Sequence, residues 1–239
     1  METAIKRAQP FLAMLRSLVL AVLLTLCVSA GEPKMPKGFF VPDSSLSPDK
    51  RFGVTVALRA EHGENAEPKN RLIELKTGRV LAVIKAETAW DHANHQEVMP
   101  SRWSKDGALL LWEVDGKWFH DAFVLIKIED GKVKWQTDIL KAAQQEILAR
   151  TKKASPKKYA AAKKDNEGSG SAYPEGFSVD VDAVGGVETP LRVRVVLSSN
   201  PKQIEGVPSL YSHMDAIVDS EGRFVVKDFG LGHVPLRSL

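Results

Sequence analysis

Ser47-Pro48-Asp49-Lys50-Arg51-Phe52-Gly53-Val54-Thr55-Val56-Ala57-Leu58 decides how this chain is to be read. Phe52, Val54, Val56 and Leu58 alternate with Gly53, Thr55 and Ala57, the period of a strand with one strongly apolar face. The same phrase returns downstream: Ser104-Lys105-Asp106-Gly107 leads into a second apolar run, Leu109 to Val114. A strand-turn-strand follows in both places. Leu72 to Leu75 and Val80 to Ile84 flank Lys76-Thr77-Gly78-Arg79, and Phe123 to Ile128 and Val133 to Trp135 flank Glu129-Asp130-Gly131-Lys132. Gly78 supplies the positive φ that a tight hairpin turn demands. The two units are offset by 57 residues at the front (Ser47 to Ser104) and 53 at the back (Gly78 to Gly131), so residues 46–138 form an internal repeat.

On these residues, Ser47-Pro48-Asp49-Lys50-Arg51-Phe52 and Trp103-Ser104-Lys105-Asp106-Gly107 resemble the openings of blades in WD40-like (TolB-type) β-propellers, and Asn70 to Ile84 resembles the strand pair that follows in such a blade. The resemblance implies blade-like antiparallel sheets. It covers two blades, whereas closing a propeller takes about four or more. The chain as a whole is also similar to exported bacterial proteins of a family with no assigned activity to carry over. The expected fold is therefore mainly β with a helical hairpin insertion. Two blade-like four-strand units and a C-terminal β meander should be sandwich-like rather than a closed propeller.

The remaining stretches are read from local signals. Residues 31–45 hold Pro33, Pro36 and Pro42 with little periodicity, an extended lead-in. Residues 139–171 break the β pattern. Asp138 is a good N-cap, and Ile139, Leu140, Ala143, Ile147 and Leu148 recur at helical spacing. Ser155 and Pro156 open a second short helix reaching Lys164, and Asn166 to Ser171 is a Gly/Ser-rich linker. From 172 to 239 the pattern is β again. Phe177, Val179 and Val181 alternate with polar residues, Leu191 to Leu197 alternate with Arg192 and Arg194, and Met214 to Val218 pairs with Arg223 to Phe229 around Ser220-Glu221-Gly222.

Residues 1–30 are expected to be a secretory signal peptide. Lys6, Arg7 and Arg16 precede the apolar run Leu18 to Val28, and Val28-Ser29-Ala30 ends it with small residues. The expected location is periplasmic or extracellular, with no membrane span after cleavage. The single Cys, Cys27, lies in the leader behind a bulky Leu26, which disfavours lipidation. A chain cleaved after Ala30 has no thiol nucleophile or Cys metal ligand. The formal net charge is +3, of which the leader holds +2. A mature chain near +1 does not suggest a nucleic-acid partner.

Four sets of residues carry possible function. Trp90-Asp91-His92-Ala93-Asn94-His95-Gln96-Glu97 packs two His and two carboxylates into a loop between the repeats. His92, His95 and Asp91 could share a metal, with Glu97, His120 or Asp121 completing it. The plainer alternative is a solvated polar loop. Between 139 and 164, Lys141, Arg150, Lys152, Lys153, Lys157, Lys158, Lys163 and Lys164 face only Glu146. Such a patch could meet an anionic glycan, lipid headgroups or an acidic protein, or could simply be a solvated helix face. Ser169-Gly170-Ser171-Ala172-Tyr173 resembles the Ser-Gly-x-x-Tyr loop of MliC/PliC-type lysozyme inhibitors, which would make Ser169 and Tyr173 contact residues. That family's cysteines are absent from this chain. Of the five tryptophans, Trp90 and Trp118 lie in loops where an indole could stack on a sugar, although burial is the commoner fate of Trp.

No Gly-x-Ser-x-Gly elbow, P-loop, dinucleotide fingerprint or His-Glu-x-x-His pair occurs, and no cofactor is implied. The reading that results is an exported noncatalytic binding protein of the cell envelope, with an envelope protein or anionic glycan as partner. The opposed readings are a metal-dependent hydrolase centred on the 91–97 loop and a lysozyme-inhibitor-like protein using the 169–173 loop.

Overall fold

Alternation sets the strands, and their pairing produces a mainly β, sandwich-like architecture in which no sheet among the described residues closes on itself. The structure is a computed structural model. It describes residues 35–63, 66–92, 95–165, 173–199 and 209–233, all within one compact unit that begins at Met35. The leader and Ser169 lie outside the described residues.

The first unit is a three-stranded antiparallel sheet of β2 (Phe52–Val54), β4 (Arg71–Glu74) and β5 (Arg79–Val83). Beside it β1 (Phe39–Phe40) pairs with β3 (Val56–Ala57). The lead-in is thus more than extended chain, and it is anchored. Ser45 is fully buried, and its hydroxyl accepts from the Val54 amide at 3.1 Å and donates to the Pro42 carbonyl at 2.8 Å. The second unit has five strands: β8 (Leu109–Asp115), β9 (His120–Glu129) and β10 (Lys132–Asp138), with the two-residue strands β6 (Glu97–Val98) and β7 (Arg102–Trp103) both on β8. The expectation of four strands in each unit is corrected to three and five. β6 and β7 are too short to show a period.

The turns opening β2 and β8 close in the same way. Ser47 Oγ donates to Asp49 Oδ1 at 2.7 Å, and Ser104 Oγ to Asp106 Oδ1 at 2.6 Å. Each serine hydroxyl then accepts the first strand amide, from Phe52 at 3.0 Å and from Leu109 at 2.8 Å. Lys50 and Gly107 sit at equivalent points with φ of 54° and 68°. These bonds hold both aspartate carboxyls below their ordinary range, with the serine hydroxyl the largest cause in each.

β8 and β9 form the centre of the molecule because both of their faces are covered. Leu110, Trp112, Val114, Val124 and Ile126 pack against Phe52, Val54, Leu72 and Ile84 of the first unit. The alternate residues Leu109, Leu111, Phe123 and Leu125 face a second, larger core. That explains the unbroken apolar run Leu109-Leu110-Leu111-Trp112, since a strand buried on both sides has no polar alternation. The second core is completed by the helix α1 (Ile139–Ala154) and by β11 (Phe177–Val184), β12 (Leu191–Ser199), β13 (Tyr211–Val218) and β14 (Phe224–Leu231), a four-stranded antiparallel meander.

Asp138 caps α1 by accepting from the Lys141 amide at 2.9 Å. Ile139, Ala143, Ile147 and Thr151, spaced by four, form a fully buried stripe. α1 therefore fills the space between β9 and the C-terminal sheet. Burying each isoleucine contributes about 1.5–3 kcal/mol. Thr151 Oγ1 donates to the Ile147 carbonyl at 2.6 Å and also meets Ser212 Oγ of β13 at 2.6 Å. The shorter helix α2 (Pro156–Asp165) is held by Tyr159 and Ala162, both buried.

Two further ties fix the layers. Gln136 on edge strand β10 accepts from the Lys85 amide at 3.1 Å and donates to the Val83 carbonyl of edge strand β5 at 3.0 Å. One side chain from the edge of one sheet thus satisfies backbone groups at the open edge of the other. At the β13–β14 turn, Gly222 has φ +80°, and a Cβ there would come within 2.6 Å of the Trp135 ring. Trp135 Nε1 donates to the Ser220 carbonyl at 3.1 Å, and Thr137 Oγ1 to that of Gly222 at 2.6 Å.

Candidate functional site

The β8–β9 hairpin reverses through Gly116-Lys117-Trp118-Phe119, where the Gly116 amide donates to the Phe119 carbonyl at 2.7 Å. This tip stands beside the exposed side of edge strand β11. The two elements enclose an open cleft of about 320 Å³ lined by Asp115, Lys117, Trp118, His120, Asp180 and Asp182 among others. Alternation on β11 turns Val179 and Val181 into the core and leaves Asp180 and Asp182 side by side on the outer face.

His120 holds hairpin and strand together. Its Nδ1 lies 2.5 Å from Asp115 Oδ1 and its Nε2 lies 2.9 Å from the Val181 carbonyl oxygen, while the ring stacks on Phe123 at 4.8 Å. Both ring nitrogens thus face oxygens, a carboxylate on the hairpin and a backbone carbonyl on β11, so one side chain spans the two elements. Asp180 and Asp182 have no hydrogen bond or ion pair among the described residues. Partial desolvation, followed by repulsion from Asp182, raises the Asp180 carboxyl above its ordinary range, while His120 acts in the opposite sense. Arg194, opposite Asp182 in the strand register, is committed to Asp215 at 3.1 Å.

The tryptophans separate clearly. Trp112 is completely buried. Trp103 stacks on Phe52, and Trp135 lies against Gly222. Trp90 is covered by the Arg59 guanidinium, 4.6 Å from its ring centroid, and by the edge of His62. Trp118 alone of the five is open, at 62% exposure, with Lys117 Nζ 4.9 Å from its ring centroid. Tyr173 packs edge-on against Phe119, so it stands at the same hairpin as Trp118.

The described residues of the 91–97 loop are held by separate contacts. Asp91 accepts from the Arg59 amide at 2.7 Å and lies 3.9 Å from an almost fully exposed His92. His95 occupies a left-handed turn at φ 63°. Among the described residues, no three His, Cys, Asp or Glu side chains converge to hold a metal ion. Gln96 organises the loop: it accepts from the Trp90 amide at 3.0 Å and donates to Asp121 Oδ2 at 3.0 Å and to the Thr88 carbonyl. Asp121 therefore reaches this loop through Gln96, while His120 points to β11.

On the helices, Lys152, Lys153, Lys157 and Lys158 are all exposed. Lys163 pairs with Glu175 at 2.7 Å, which holds that carboxyl below its usual range. Tyr159 also donates to Glu175, and burial is the main reason its phenol is pushed well above the ordinary value.

Asp115, Asp180 and Asp182 were not among the residues expected from sequence. Two carboxylates alternating with Val179 and Val181 are visible as an exposed pair, but nothing local says that the hairpin of residues 116–119 lies beside them. The cleft combines an indole face with two uncommitted hydrogen-bond acceptors, a composition suited to a hydroxyl-rich ring. Comparison of the chain with protein-family models, with curated proteins and with solved structures gives no match.

Proposed function

We propose that this chain is an exported noncatalytic binding protein of the cell envelope and that the Trp118 cleft seats a saccharide. The observation that carries this reading is the open Trp118 indole in the wall of a cleft whose acceptors, Asp180 and Asp182, make no hydrogen bond or ion pair among the described residues. A pyranose ring stacks its C–H face on an indole, and its hydroxyls donate to carboxylates. The basic leader and the apolar run ending at Ala30 support export. No helix among the described residues is long and apolar enough to cross a membrane.

The test is a tryptophan-emission titration with a panel of neutral envelope oligosaccharides, followed by calorimetry on any hit. Trp118→Ala should weaken binding about tenfold or more, and Trp90→Ala should leave it within about twofold. Equal binding by wild type and Trp118→Ala would place the ligand elsewhere and end this assignment. Failure of the whole panel to bind would end the saccharide reading.

A further inference from the structure

The charge of this protein is segregated. Residues 139–164 hold eight basic side chains against one carboxylate, a net of +7 in a chain whose total is +3, so the remainder carries a net of −4. The structure shows why these lysines all face outward. The apolar stripe of α1 and the Tyr159–Ala162 anchor of α2 are locked into the larger core, so the rotation of both helices is set by burial. At the elbow between them, Lys152, Lys153, Lys157 and Lys158 are exposed within seven residues, with Lys164 exposed six residues further on. Two carboxylates at this surface are occupied among the described side chains: Glu146 by Arg150 at 3.0 Å and Glu175 by Lys163 at 2.7 Å. Lys153, Lys157, Lys158 and Lys164 make no ion pair among the described residues.

We infer that the α1–α2 elbow is a docking surface for an anionic polymer, a chain bearing repeated sulfate, phosphate or carboxylate groups. Charge complementarity selects the partner. Four closely spaced ammonium groups with little local neutralisation suit a ligand that offers several anions in a row, because each pair alone is weak in water and several act together. The exposed residues between the lysines are Ala154, Pro156, Ala160 and Ala161. None of the exposed large apolar side chains lies on these helices, so the surface has nothing to insert among acyl chains, which favours a polymer over a membrane. None of these lysines lines the Trp118 cleft.

The experiment uses the protein purified as the cell produces it. Binding to dextran sulfate is measured at rising salt, with uncharged dextran and vesicles rich in anionic lipid in parallel. Two quadruple variants remove equal charge. One is Lys152→Gln/Lys153→Gln/Lys157→Gln/Lys158→Gln. The control is Lys50→Gln/Lys76→Gln/Lys105→Gln/Lys132→Gln, at exposed positions on the β turns. Circular dichroism establishes that both are folded, and Lys157→Glu/Lys158→Glu serves as a second elbow variant. The elbow variants should bind dextran sulfate about tenfold or more weakly while the control stays within about threefold, and wild-type binding should fall steeply between roughly 0.05 and 0.5 M salt. Equal loss in elbow and control variants would reduce the effect to net charge and overturn the inference. So would the absence of dextran sulfate binding at low salt, or binding to anionic vesicles alone.

Discussion

Thr151 and Ser212 meet inside the larger core, and both are completely buried. The geometry assigns their protons. Thr151 Oγ1 lies 2.6 Å from the Ile147 carbonyl, which can only accept, so the threonine proton is committed there. Ser212 Oγ, 2.6 Å from Thr151 Oγ1, must then be the donor between them. The pair is therefore asymmetric. Thr151→Val keeps the shape but leaves the Ser212 hydroxyl with no acceptor in an apolar site, and should cost about 2–3 kcal/mol. Ser212→Ala removes the donor while Thr151 keeps its bond to Ile147, and should cost about 1 kcal/mol. With both changes no orphan remains, so the double variant should be better than the sum of the singles by about 1–2 kcal/mol. Urea unfolding of the four proteins measures this, provided the slope with denaturant is unchanged. Additivity within about 0.5 kcal/mol, or a larger loss for Ser212→Ala than for Thr151→Val, would refute both the proton assignment and this tie between α1 and β13.

Gly222→Ala should cost roughly 2–4 kcal/mol, because it adds a left-handed penalty at φ +80° to a clash with the Trp135 ring; a fall in urea midpoint checks it, and a neutral result would mean the turn does not dock there. Asp49 and Asp106 titrate below their ordinary value when folded, so the stability they contribute is complete above about pH 4 and is lost as pH falls through their lowered values. Asp49→Asn/Asp106→Asn should accordingly melt below wild type at about pH 7, with the gap narrowing as pH falls below about 4; a gap that widens in acid has the wrong sign for this account.

Much of the local structure was legible because its causes are local. Asp138 caps α1 as its position before the Ile139–Ile147 stripe suggests, Pro156 opens α2, and the hairpins turn at Gly78, Gly131 and Gly222 as the breaks in alternation imply. Each signal involves residues within a few positions of one another, and so survives reading without a fold. The two-residue strands β6 and β7 gave no period to read, and they account for the miscounted strands of the central sheet.

The site was legible only in fragments. The 91–97 loop has the composition of a metal site, but Asp91 accepts from the Arg59 amide and the organising residue is Gln96. Trp90 and Trp118 looked alike as loop tryptophans. Arg59 and His62, some 30 residues earlier in the chain, cover one, while the other stays 62% exposed with its neighbour Lys117 over the ring. Asp180 and Asp182 acquire meaning only when His120 reaches across 61 residues to the Val181 carbonyl and brings the hairpin beside β11. By itself, then, the sequence determined the helices and the longer strands and which face of each is apolar, because backbone period and burial preference act over neighbouring residues. Only tertiary packing decided which polar faces stayed uncovered and which of them met, because those contacts depend on the closing of two cores around β8 and β9.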